Sequence, residues 1–217
     1  MLTLLLPALL SLHGHSAELS STETAGLIGR LKEHRAKFPS LTADFTEEKA
    51  TRLLQKPLNT SGTIAFTAPN LFRREVRGTS SSTTVCDGKQ LWIYYPNFKE
   101  AERYTLGERA FFDDSIAALT AGLNFSNIED FYRYEAFRED KGYRLVLRPK
   151  TGGLKRMLKQ LSVWVTDDFM IARTETLSPK DDRIVTSYRN QKAETVPASR
   201  FDFKPPADTK ISTPLGR

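Results

Sequence analysis

With 217 residues, of which 39% are hydrophobic and 27% charged, the chain has enough apolar material for one large domain or two small ones. The net charge of +6 invites a nucleic acid or an anionic membrane as partner. The basic residues are scattered, however, with Arg73-Arg74 and Lys155, Arg156 and Lys159 the densest groups, and no nucleic-acid fingerprint is present. A solvated basic surface and no nucleic-acid partner are therefore expected. The single cysteine, Cys86, excludes an internal disulfide and a cysteine-rich metal site.

The N-terminal run MLTLLLPALLSL is too short to span a bilayer as a helix. Small residues follow it in HGHSA, as in a secretory signal with its cleavage zone. No Lys or Arg precedes the run, a charge that an upstream start codon would supply, and His15 stands where a small residue is usual. Residues 1–17 are expected to be a signal peptide and 18–217 a single domain, exported and soluble. No cysteine follows the run, so no N-terminal lipid anchor is expected.

The spacing of Leu27, Leu31, His34 and Phe38 predicts a first helix over about Thr22 to Lys37, stopped by Pro39. Strand-like runs follow: LTADFTEEK, GTIAFTAP, LFRREV, STTVC, QLWIYYP and EAERYTL. The Asp87-Gly88 pair predicts a type I′ hairpin turn before QLWIYYP. That strand is apolar on both faces, since Leu91 and Ile93 alternate with Trp92 and Tyr94. An antiparallel strand with two apolar faces has to be covered twice, or has to line something. A second helix is predicted at DDSIAALTAGL, with Asp113 as N-cap and Phe112, Ile116, Leu119 and Leu123 in one stripe. Strands resume at YRLVLRP, LKQLSVWVT, FMIARTETL, DRIVTSYRN and SRFDFKPP. Ten or eleven strands and two helices predict one long antiparallel meander. A sheet of that length curls, to close as a barrel or to stay open with helices filling its concave side.

Catalytic signatures are missing. All three histidines, His13, His15 and His34, precede the strands, which disfavours a Ser-His-Asp hydrolase and a histidine-ligated metal. The doublets Glu47-Glu48, Asp113-Asp114, Asp167-Asp168 and Asp181-Asp182 read as turn, cap and surface residues, because neighbours on a strand point to opposite faces. No G-x-S-x-G, Walker loop or dinucleotide fingerprint occurs, and KTGG at Lys150–Gly153 reads as a glycine loop. No catalytic residue, metal or cofactor is expected, and the chain is not expected to be an enzyme.

The segments DFTEEK, GTIAFTAPNLFRRE, VCDGKQLWIYYP, YRLVLRPK, LKQLSVWV and FDFKPPADTKI, in that order between Leu41 and Ile211, resemble the periplasmic outer-membrane lipoprotein carriers of the LolA type. The resemblance implies a mainly β (α+β) fold, an open, strongly curved antiparallel sheet forming an unclosed barrel, with helices over an apolar cavity. It implies a periplasmic carrier that binds the acyl chains of lipid-modified proteins. Its partners would be an inner-membrane ABC-type release complex and an outer-membrane receptor, and the carrier is expected to be monomeric. Candidate cavity and lid residues are Ile64, Phe66, Phe72, Leu91, Ile93, Phe112, Ile116, Leu119, Leu123, Leu145 and Leu147. Two positions depart from the family. Ala68 stands where members often carry an arginine thought to hold the lid shut, and Arg74 stands where many carry an aromatic. Arg73 and Arg74 are read as rim charges, with Arg74 a candidate polar latch. A carrier of another exported lipid, and an enzyme acting on acyl groups, are the alternatives.

Overall fold

The structure is a computed structural model that describes residues 16–107, 125–126 and 128–214. Helix α1 (Ser21–Lys37) opens on a capping box, in which Ser20 and Glu23 satisfy each other's backbone N–H. It begins one residue before the predicted start. Its buried face carries Thr24, Leu27, Ile28, Leu31 and Arg35. The apolar stripe thus runs through Arg35, while His34, placed in it from spacing alone, lies at its edge against Phe38 and Phe169.

Two meanders make up the sheet. The first runs through β2 (Ser40–Ala50), β3 (Leu58–Thr67), β4 (Leu71–Arg77), β5 (Ser82–Asp87), β6 (Gln90–Tyr95) and β7 (Glu100–Thr105). The second runs through β8 (Tyr132–Glu139), β9 (Gly142–Pro149), β10 (Gln160–Val165), β11 (Ile171–Leu177) and β12 (Arg183–Lys192). The last strand of the second meander, β12, pairs with the first strand of the first, β2, so the two join side by side instead of forming one continuous meander. Short strands end the sheet: β1 (Ala17–Glu18) on β8, and β13 (Lys210–Ser212) in parallel on β7. Among the described residues the sheet has 13 strands and stays open. Edge strands of two and three residues offer little backbone to a foreign strand.

Three sequence-based expectations are corrected here. YRYEAFRE is a strand, β8, that the pattern reading passed over. SRFDFKPP is not a strand: Ala198–Phe201 is a 3₁₀ turn and the residues after it are irregular. KTGG does not stay a loop, because Thr151 accepts a hydrogen bond from Leu154 N and caps a short helix, α3 (Gly152–Met157). A further short helix, α2 (Ile128–Phe131), leads into β8. The DDSIAALTAGL helix falls outside the described residues, and so does the apolar N-terminal run.

The β5–β6 hairpin forms, but with a different turn. Only Gly88, at φ 88°, has positive φ, so a two-residue Gly88-Lys89 loop replaces the Asp87-Gly88 I′ turn. The Asp87 carboxylate accepts from Lys89 N at 2.8 Å and Gln90 N at 2.6 Å, which draws Asp87 into the strand end.

Strand pairing fixes which side chains share a face. Leu41, Phe66, Phe72, Cys86 and Leu91 form one row across β2 to β6, each paired directly with the next. Leu145 with Val163, and Leu147 with Leu161, continue the same face on the second meander. α1 lays Leu27, Ile28 and Leu31 on this concave face, and Phe125, Ile128, Leu154 and Leu158 complete one continuous core. The other face of β6 has its own cover. Phe201 is buried, and the Phe203 ring lies 5.9 Å from Trp92 and 5.8 Å from Tyr94. The doubly apolar strand is therefore covered twice, by the core on one side and by the C-terminal segment on the other.

That C-terminal cover is also fastened by charge. Arg73 binds Glu75 at 2.6 Å and donates to the carbonyl of Arg200 at 3.3 Å. Burial pushes the Glu75 carboxyl up, but the hydrogen bond and charge of Arg73, with Arg200, outweigh it and hold it below the usual carboxylate range. A carboxylate with a lowered folded-state pKa contributes stability above its unfolded pKa, and that contribution fades as pH falls through the folded value. Glu75→Gln should therefore be less stable than the wild type near neutrality. The gap should close below about pH 4, as followed by thermal unfolding across pH.

Close packing of β3 on β4 depends on Gly62. A Cβ there would lie 1.8 Å from the Glu75 carbonyl oxygen and 2.9 Å from the Phe45 ring. Gly62→Ala is expected to lower stability by about 3 kcal/mol in urea unfolding, the upper range for overpacking, because backbone is what it meets.

Candidate lipid-binding site

The structure brings six of the strand candidates together. Ile64, Phe66, Phe72, Leu91, Leu145 and Leu147 are all buried in the concave core. Ile93 is on the same face, opposite Thr84, but is only half-buried and stands outside that cluster. Phe112, Ile116, Leu119 and Leu123 are outside the described residues.

Arg73 and Arg74 are separated by strand alternation. Arg73 lies on the convex face with Glu75. Arg74 points to the concave side, where its guanidinium sits 4.3 Å from the centre of the Phe45 ring. It donates to Glu47 at 2.7 Å, with both side chains about four-fifths buried. Glu47, expected at the surface, belongs to this cluster and also accepts from Thr186 at 3.1 Å. Tyr188, paired with Phe45 across the strands, is partly buried beside them; desolvation pushes its hydroxyl up despite a hydrogen bond with Thr174. Sequence reading missed Glu47 because a carboxylate doublet looks solvated. The available signal was alternation: Phe45 and Glu47 share a face, as do Phe72 and Arg74.

A second interior cation was missed. Arg35 is 6% exposed, beside the Phe66 ring, and its Nη1 donates to the Phe38 carbonyl at 3.2 Å. Its Nε has no hydrogen-bond partner. Burial pulls the guanidinium down to about 10. The neighbouring Pro39 carbonyl accepts from Ala68 N at 2.8 Å, so α1 brings a guanidinium close to the turn at Ala68. The signal was a basic residue at the spacing Ile28, Leu31, Arg35, on the apolar face of a helix.

Nothing on this face is arranged for nucleophilic chemistry among the described residues. Cys86 is buried, and desolvation raises its thiol, which disfavours the reactive thiolate. His34 lies outside the cluster, and desolvation, then the charge of Arg35, lowers it. Two open polar grooves, of about 690 and 550 Å³, lie on the convex side. The larger is lined by Glu48, Arg77, Arg173 and Arg183 and suits charged groups better than acyl chains.

An open, curled sheet with an apolar concave side under helices defines a class of protein built to enclose apolar matter. Comparison with known proteins gives the family. Residues 36–204 match the model of the outer membrane lipoprotein carrier protein LolA. The chain is 31% identical over 205 residues to an outer-membrane lipoprotein carrier protein of Chromobacterium violaceum, covering 90% of this chain and 92% of that one. It is 28% identical over 181 residues to the protein of the same name from Klebsiella pneumoniae, covering 83% and 85%. An uncharacterized conserved protein of Thermus thermophilus shares the fold, with a TM-score of 0.52 at 13% identity over 88% of this chain and 99% of that one. The chain belongs to the LolA family.

The Arg74–Glu47 pair makes a sharp prediction. Arg74→Met leaves the largely buried Glu47 carboxylate without its cation and with Thr186 as its remaining partner, and is expected to destabilise by about 3 kcal/mol. Glu47→Gln combined with Arg74→Met should recover most of that loss, in a urea-unfolding double-mutant cycle.

Proposed function

We propose that the protein is a non-enzymatic, exported carrier that takes the acyl chains of lipid-modified proteins onto the concave side of its sheet. The observation that carries this reading is the continuous apolar face from Leu147 and Leu145 through Phe66 and Phe72 to Leu91, in a chain of the LolA family. These side chains are covered in the present state, so acyl chains would have to displace part of the cover. The described helices include none long and apolar enough to cross a membrane. The proposal extends to removal of residues 1–17 on export and to a periplasmic single-domain carrier working as a monomer. It would receive cargo from an inner-membrane ABC-type release complex and deliver it to an outer-membrane receptor. The stripe Phe112, Ile116, Leu119 and Leu123 would serve as the movable lid.

Magnitudes set a limit on how such a carrier works. A chain of roughly sixteen carbons taken from water is worth about 12 kcal/mol, and three would exceed the practical ceiling of about 20 kcal/mol. Exchange from one apolar cavity to another avoids water as the reference, and displacing the cover offsets part of the gain.

One observation favours a second reading, a carrier for another exported lipid: Arg74 on the concave wall could swap Glu47 for an anionic headgroup. Mass spectrometry of organic extracts from the purified protein would separate the two. Acylated protein or peptide supports the first reading, and free anionic lipid the second.

Ile93 is the position at which to test the cavity, because it faces the concave side without belonging to the packed core. Ile93→Lys should lower affinity for a triacylated peptide at least about tenfold in fluorescence titration while the unfolding transition stays close to that of the wild type. Unchanged affinity in the folded variant would remove this face from the binding mechanism.

A further inference from the structure

The large apolar side chains that stand exposed are confined to one end of the sheet. Among the described residues they are Leu53 at 95%, Phe98 at 74%, Ile211 at 48%, Leu58 at 45% and Leu54 at 44% exposure. Pairing puts them together. β2 finishes at Ala50 opposite Arg183, and β3 begins at Leu58 opposite Lys49, so the 51–57 loop and the 178–182 turn share an end. β6 finishes there too, with Tyr95 opposite Glu100, which places Phe98 on the same rim, beyond the β4–β5 turn. Ile211 pairs with Ala101 at the start of β7. The turns at the opposite end, around Gly88, Asp140 and Asp167, carry none of these side chains.

The same rim is basic. Lys49, Lys56, Lys155 and Arg156 are exposed and engage no acid in an ion pair among the described residues. Of the acids at this end, Asp181 is held by Arg52 at 2.9 Å and Lys159 at 3.1 Å and Asp208 by Lys99, while Glu48 and Asp130 are exposed with no ion pair among the described residues, which leaves the cations in excess. The Arg52 contact also ties the 51–57 loop to the neighbouring turn, so Leu53 is presented on a braced support.

We propose that this rim docks reversibly on the surface of a bilayer carrying anionic phospholipids, with Leu53, Leu54 and Phe98 entering the headgroup layer and the lysines pairing with the phosphates. The spacing favours a lipid surface over a protein groove. The β2–β3 and β6–β7 tips are separated by four strand spacings, roughly 19 Å. Isolated apolar tips ringed by cations suit a fluid interface that closes around each of them. A protein partner would be better served by one contiguous apolar patch.

The test is flotation of the purified protein with vesicles of phosphatidylcholine alone or mixed with phosphatidylglycerol. The wild type should float with the anionic vesicles, less so at high salt, and not with the neutral ones. Leu53→Asp should reduce partitioning at least about tenfold, since burying one leucine is worth that much. Lys56→Glu should reduce it at least about fivefold. Lys141→Glu, in a turn at the far end, should float like the wild type. Leu53 is almost wholly exposed, so matched unfolding curves are expected and a loss of flotation reports on the surface alone. Ile93→Lys should float normally, which keeps this test separate from the acyl-binding one. No flotation by the wild type, equal flotation with neutral vesicles, or full flotation of Leu53→Asp would overturn the proposal.

Discussion

The laying of α1 across the inside of an unclosed sheet is the interaction on which the rest of the structure depends. A closed barrel satisfies its own edges and fills its own interior, whereas an open, curled sheet leaves an apolar concave side that something else has to cover. Here Leu27, Ile28 and Leu31 supply part of that cover, with Phe125 and Ile128 supplying more from the chain leading into β8 and Leu154 and Leu158 from the β9–β10 connection. Burying a leucine of this kind is worth about 2 kcal/mol against leaving it in water. The cover is thus strong enough to hold the fold. It is also built from elements separate from the sheet, and elements of that sort can move without breaking strand pairing.

The convex side follows a different logic. Val85 and Trp92 would be exposed on the outer surface of β5 and β6 if the chain ended at β12. The segment after β12 returns to lay Phe201 and Phe203 over them, and Arg73, Glu75 and Arg200 hold it by charge. Two apolar surfaces on one strand therefore have different covers, one of helices over the inner face and one of irregular chain fixed by ion pairs. The inner cover encloses the larger and more uniform apolar region.

How much of this was legible in the sequence depended on period and on partner. Alternation along β6 announced that both faces are buried, and the order of turn signals announced an antiparallel sheet. The joining of β12 to β2 was not legible, because no local pattern encodes which distant strand comes alongside. β8 was overlooked for a related reason: YRYEAFRE interleaves aromatic and charged residues, and its charges pair across the strands or stack on rings, as Glu135 does with Arg148 and Arg138 with Tyr143. The apolar candidates on β3, β4, β6 and β9 were found because strand period and burial agree. Glu47 and Arg35 were misread or missed because a charged residue is treated as solvated until a tertiary partner is known. Glu47 and Arg74 are neighbours only through β2–β3–β4 pairing, 27 residues apart in the chain.

Those interior charges bear on how an enclosing protein also lets go. A wholly apolar wall would gain from every methylene it covered, and its affinity would rise until release became slow. If acyl chains bind on this face as proposed, Arg74 and Glu47 would remove part of the wall from that gain, because a chain laid against them would meet groups that hydrogen-bond to each other and to Thr186 but not to it. Stacking of the Arg74 guanidinium on Phe45 keeps the cation in the wall when no headgroup is present, so the site need not reorganise to expose or hide it. Arg35 acts in the same direction from α1. Its guanidinium is desolvated and incompletely bonded, which makes the covered state less favourable than an all-apolar interface of the same area. A cover that is mostly apolar but carries one under-satisfied cation is held firmly while lying closer in free energy to its displaced state. That narrow gap is what exchange of an apolar cargo between similar cavities requires.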